Sequence, residues 1–63
     1  MRYTLIYCSN LNIFALSYPM GGHKTLTEPE LRQSCGDNVV LNQWVDFAKS
    51  HPNVSCDYDM LPA

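Results

Sequence analysis

Residues 38–51, NVVLNQWVDFAKSH, carry the strongest periodic signal in the chain. Apolar residues recur there at spacings of three and four, which gathers their side chains on one stripe of a helix. This helix is too short, and too polar on its back, to cross a membrane. We therefore expect the stripe to pack against other parts of the chain or against a partner. The stripe consists of Val40, Leu41, Trp44, Val45, Phe47 and Ala48.

A second, shorter helix is predicted just before the long one. Residues 27–30, TEPE, match a capping box, in which the threonine hydroxyl and the second glutamate satisfy each other's backbone N–H groups. Gly36 supplies a residue that ends this helix. Asp37 or Asn38 then caps the long helix, and Pro52 stops it. The two helices are expected to meet at a tight corner.

Three segments have the composition of strands. Residues 2–8 are rich in β-branched and aromatic residues on both faces, which suits a central strand, and residues 13–18 return after an asparagine-containing turn. Residues 54–61 alternate between apolar and polar. Residues 20–25, with adjacent glycines, are interpreted as a mobile connecting loop. The predicted fold class is a small two-layer α+β domain over residues 1–63, in the order β-β-α-α-β. Its three-stranded, mostly antiparallel sheet packs on one long and one short helix, with the first strand central.

Composition restricts the function classes. With 46% hydrophobic and 16% charged residues, the chain is too apolar to be disordered. Its net charge of −2 gives no basic surface for a nucleic-acid backbone. No membrane segment or signal peptide is indicated, so we expect a cytoplasmic protein. At 63 residues the chain has room only for a small core, which a second subunit would help to stabilise.

The three cysteines, Cys8, Cys35 and Cys56, are odd in number and far apart, which favours reduced thiols packed as small apolar residues. No two of them have the close spacing of a zinc site, so we predict no metal ligands and no cofactor. The alternative to an interaction protein is a small metal-binding or redox domain. It would use the three cysteines together with His23 or His51.

No residue is predicted to be catalytic. Residues 21–25, GGHKT, lack the glycine spacing of a phosphate-binding loop. Glu28 and Glu30 are explained by the helix cap, and Asp57 and Asp59 by a solvated strand face. The chain is therefore predicted not to be an enzyme.

The remaining hypothesis is a surface that binds a partner. Asp57, Tyr58 and Asp59 lie on a strand predicted to be at the sheet edge, and Glu28 and Glu30 add carboxylates at a helix start. We expect a non-enzymatic protein-interaction module whose partner is a larger protein or ribonucleoprotein. We expect no direct binding to nucleic acid or to a membrane. A homodimer is an open alternative. In size and acidity alone, with no shared motif, the chain is similar to small phage or mobile-element inhibitors of host machinery, such as anti-CRISPR proteins.

Overall fold

The antiparallel sheet and its two helices are seen in a computed structural model that describes residues 2–58. The sheet has the order β3-β2-β1-β4, with every neighbouring pair antiparallel. Both helices pack on one face of this sheet, so the α+β class is confirmed, with four strands in place of the predicted three. The elements are β1 (Thr4–Cys8), β2 (Ile13–Ser17), β3 (His23–Leu26), α1 (Glu28–Cys35), α2 (Val39–Ser50) and β4 (Cys56–Asp57).

The first hairpin joins β1 to β2, as predicted. Facing pairs run from Thr4 and Ser17 to Cys8 and Ile13. The turn between them uses an asparagine in the left-handed region, since Asn12 has a φ of 55°. Asparagine tolerates this conformation better than most residues other than glycine, which explains why the turn was visible in the sequence.

The second hairpin, between β2 and β3, corrects the prediction of a loop at residues 20–25. The N–H of Gly21 donates to the carbonyl of Tyr18 at 3.1 Å, and the N–H of Tyr18 donates to the carbonyl of Gly22 at 3.0 Å. Gly21 and Gly22 have φ values of 93° and 87°. The two glycines therefore close a tight turn, because positive φ is the conformation such a hairpin needs. The element order becomes β-β-β-α-α-β.

The last strand is shorter than predicted within the described residues. Only Cys56–Asp57 pair with β1, where Cys56 faces Leu5. The strand cannot begin at residue 54, because Asn53 forms a turn with a φ of 65° and Val54 is 54% exposed. Residues 59–61 of the predicted strand lie outside the described range. The predicted inner position of the first strand and the edge position of Asp57 are confirmed.

Both helix starts follow local chemistry. The backbone N–H of Thr27 donates to the Glu30 carboxylate at 2.9 Å, and the Thr27 hydroxyl accepts from the Glu30 N–H, so the predicted capping box is present. Gly36 follows α1 with a φ of 57°. Asn38, one of the two predicted caps, accepts from the N–H of Leu41 at 3.0 Å.

The core lies between the sheet and the helices. From α2 it takes Trp44, Val45 and Ala48, which belong to the predicted stripe. The indole N–H of Trp44 donates to the buried carbonyl of Cys56 at 2.8 Å, which connects α2 to the edge strand. The fully or nearly fully buried residues are Leu5, Phe14, Leu31, Cys35, Trp44, Val45, Ala48 and Cys56.

Charged groups connect the two helices on their outer side. The Arg32 guanidinium contacts the carboxylates of Glu28 and Asp46 and donates to the backbone carbonyl of Asn42 at 3.1 Å. Lys49 completes the cluster with a 3.0 Å ion pair to Glu28. The hydrogen bond to Asp46 contributes most to raising the pKa of Arg32, which stays charged.

Substituting Trp44→Phe should lower the free energy of unfolding by about 1–3 kcal/mol, because the buried Cys56 carbonyl would lose its hydrogen bond from the indole N–H. Urea unfolding followed by circular dichroism measures this loss. Tyr7→Phe is the matched control, since it removes a hydrogen bond from an exposed pair with Asn12 and should cost less. Equal losses of unfolding free energy in the two variants would show that the buried hydrogen bond contributes no more to stability than the exposed one.

Candidate binding groove

An open groove of about 580 Å³ enters the molecule between the helices and the sheet. It lies at the end of the sheet where β1 begins and β2 ends. Among residues 2–58, its lining contains no charged side chain, so an uncharged occupant suits it best. The lining residues are Tyr3, Leu16, Leu31, Ser34, Cys35, Leu41, Trp44 and Tyr58.

The helices form the upper walls of the groove. On α1, Leu31, Ser34 and Cys35 are spaced by three and four residues, and on α2, Leu41 and Trp44 are three apart. Such spacings place side chains on one side of a helix. The groove is therefore bordered by the same helix faces that form the core, at a point where no described side chain fills the space.

The sheet forms the floor. Leu16 faces the buried Leu5 across the β1–β2 pair, so it points toward the helices. Tyr3 lies two residues before Leu5 and is therefore on the same face, where it remains 44% exposed. Its ring packs edge-to-face on Tyr18 with centroids 6.0 Å apart. Tyr58 closes the far side, edge-on to Trp44 at 5.3 Å.

These aromatic side chains give the groove the character of a contact surface. Tyrosine and tryptophan combine a large apolar area with one polar group, and they are enriched where proteins bind each other tightly. Tyr3 and Tyr58 line the groove without being fully buried, so part of each ring is available to an occupant.

The two buried thiols, Cys35 and Cys56, are not activated. Burial raises the pKa of Cys35, and it also raises the pKa of Cys56. Thiols of this kind carry little thiolate at neutral pH and are poor nucleophiles. The interpretation of both as buried apolar residues is confirmed, while Cys8 is half-buried and unpaired with another cysteine. Within residues 2–58, no three His, Cys, Asp or Glu side chains gather into a group that could hold a metal ion.

Of the residues that the sequence suggested for partner binding and that the structure describes, only Tyr58 lines the groove. Asp57 lies on the other face of the sheet, where it accepts a 2.9 Å hydrogen bond from Thr4 and forms an ion pair with Arg2 at 3.3 Å. Asp59 lies outside the described residues. The proposed edge-strand contact is thus divided between two faces.

The carboxylates at the start of α1 are engaged within the chain. Glu28 turns toward α2, and its hydrogen bond to Lys49 is the largest cause that lowers its pKa, followed by Arg32. The pKa of Glu30 is lowered chiefly by the backbone N–H of Thr27 in the capping box. Both carboxylates therefore stabilise the helices, and their use by a partner remains a prediction.

Most residues of the groove could not be identified as a site from the sequence. Tyr3, Leu16 and Leu41 were recognised as apolar or aromatic positions of a strand or helix, but nothing in their spacing shows that the space beside them is unfilled. No local signal could have found this, because a gap between layers depends on how distant segments pack.

Comparisons with known proteins give no relatives: no family model, no curated protein and no solved structure matches the chain. The groove must therefore be interpreted from its own geometry. No helix in the described range is long and apolar enough to cross a membrane.

The Glu28 ion pairs predict a specific pH dependence. Folding lowers the Glu28 pKa below its ordinary value of 4.5, so its ionised form stabilises the fold above that pH. This stabilisation is lost as the pH falls through the lowered pKa. We expect Glu28→Gln to be less stable than the natural chain at neutral pH, and the difference to shrink as the pH drops below 4.5. Urea unfolding across this pH range measures the difference.

The control for this experiment is Asp37→Asn. Within residues 2–58, Asp37 makes no ion pair or side-chain hydrogen bond, so its substitution should leave stability nearly unchanged at neutral pH. A constant difference between Glu28→Gln and the natural chain at all pH values would contradict a stabilising role for these ion pairs.

Proposed function

We propose that this chain is a non-enzymatic protein-interaction module that binds a larger protein or ribonucleoprotein by accepting uncharged side chains of that partner in the groove. The observation that supports this most directly is an open groove of about 580 Å³ with aromatic walls and, in the part of the chain that the structure describes, no charged lining residue. A volume of this size falls within the range of about 300–1,000 Å³ that is typical of binding pockets.

The energetics indicate how much of the partner is needed. Burying one large apolar side chain contributes about 1.5–3 kcal/mol, whereas association itself costs about 4–15 kcal/mol. One inserted side chain is therefore insufficient, and the partner must also cover the rim. Tyr3 and Tyr58, which are only partly buried, supply aromatic area at that rim.

Under this proposal the chain acts by occupying a site on its partner. A net charge of −2 on 63 residues suits an inhibitor of a host machine of the phage or mobile-element kind. Asp57 and Asp59 form the second proposed contact, directed at basic groups of the partner. Asp57 would have to exchange its ion pair with Arg2 for one with the partner.

The experiment compares proteins captured from the source cell, or from its host, by the tagged natural chain and by Tyr3→Asp. The substitution places a charge at the groove, so it should weaken binding of the true partner about tenfold or more. Leu11→Asp is the matched control, because Leu11 is 75% exposed at the opposite end of the first hairpin. Asp57→Lys tests the acidic contact separately.

A partner that is retained by Leu11→Asp and lost by Tyr3→Asp, with both variants folded by circular dichroism, would support the groove as the binding site. If all variants bind it equally, both proposed surfaces are wrong. If the natural chain enriches no protein, the interaction function itself is contradicted.

A further inference from the structure

We propose that a second copy of this chain closes the groove, with Met20 of each copy inserted into the groove of the other. The pairing would control access to the binding site, so this regulatory role rests on the proposed function. The pairing itself does not depend on that function. The chain then binds its partner as a monomer and protects its apolar groove as a dimer.

Met20 is the most exposed large apolar side chain in the described part of the molecule, at 87%. It stands on the turn between β2 and β3, which two backbone hydrogen bonds of 3.0 and 3.1 Å close between Tyr18 and the two glycines. Pro19 precedes it and restricts the backbone further. The side chain is thus presented to solvent on a firmly closed turn. An unbranched thioether adapts well to irregular apolar space.

The turn lies beside the groove. Tyr18 begins the turn and packs on Tyr3, which lines the groove, and Leu16 of the same strand also lines it. A protruding apolar group and an apolar recess therefore occupy neighbouring positions on one end of the molecule. This arrangement suits a two-fold symmetric dimer, in which the same surface of each copy both inserts its methionine and receives the methionine of the other copy.

The charges around the groove are complementary under the same symmetry. Lys24 faces Leu16 across the β2–β3 pair, and Glu30 lies one helical turn before Ser34 of the lining. Within residues 2–58, neither group makes a direct ion pair, although the Glu30 carboxylate accepts the capping bonds from Thr27 and Lys24 of the same chain helps to lower its pKa. A two-fold axis between the copies can bring the lysine of one toward the glutamate of the other, so like charges need not oppose each other.

The proposed contact is confined to one end of the molecule, which favours a weak dimer. A standard interface buries about 800 Å² on each partner, which is close to a fifth of the 4237 Å² surface of this chain. The groove rim, the Met20 turn and Tyr3 make up one end of the molecule. We therefore expect an equilibrium that responds to concentration, with monomer in dilute solution and dimer when concentrated.

Sedimentation equilibrium from the low micromolar to the millimolar range tests the pairing. The natural chain should move from monomer to dimer, and Met20→Asp should raise the dimer dissociation constant about tenfold or more by placing a charge in the recess. Leu11→Asp is the control, because it adds the same charge at an exposed apolar position remote from the groove. A natural chain that stays monomeric throughout, or equal weakening by the two variants, would overturn the pairing.

The regulatory part has its own measurement, made by titrating a partner captured through the groove. Met20→Asp should bind this partner as well as the natural chain does when both are dilute, and better when both are concentrated, where the natural chain is paired. Equal binding at high concentration would overturn regulation but leave the dimer established by sedimentation. If no partner exists, the proposed function fails while sedimentation still decides the pairing.

Discussion

The hydrogen bond from the Trp44 indole to the Cys56 carbonyl is the contact on which the rest of this small structure depends. It joins the long helix to the last strand, two elements that also meet in the buried core. By holding β4 against β1 it sets the edge of the sheet, and it brings Tyr58 against the Trp44 ring. The same indole is a wall of the groove, so the stability of the core and the shape of the site depend on one side chain.

The short helix is attached in a different way. α1 buries only Leu31 and Cys35, and its remaining hold on α2 comes from the part-exposed ion pairs of Arg32 and Glu28. Exposed ion pairs contribute little each, typically about 0–1 kcal/mol, although a network that includes a part-buried backbone contact, as Arg32 makes with the Asn42 carbonyl, contributes more. The α1 wall is therefore the less firmly held side of the groove. An occupant that packs on Leu31 would add apolar contacts to this helix.

The acidic residues at the start of α1 and the apolar residues of the groove differ in how easily they are recognised as a candidate site from the sequence. The carboxylates at positions 28 and 30 stand out in the sequence, and the structure shows that both are engaged in holding helices. The groove residues do not stand out, because leucine and tyrosine at regular spacing are typical of any core. What distinguishes them is the absence of a neighbour among the described residues, which only packing reveals. Charged motifs were thus easier to find in the sequence, whereas the apolar groove is visible only in the folded chain.

The sequence by itself determined the features that depend on neighbours within about four residues. The capping box at Thr27, the asparagine turn at Asn12 and the buried stripe of α2 follow from local backbone chemistry and helical spacing. Only the tertiary structure decided that His23–Leu26, three of whose four residues are exposed, forms a strand, because it is stabilised by hydrogen bonds to β2 more than by its own apolar pattern. The groove, too, was decided only by the tertiary structure. Its walls come from five separate segments, and the distances between them are set by how the helices pack on the sheet.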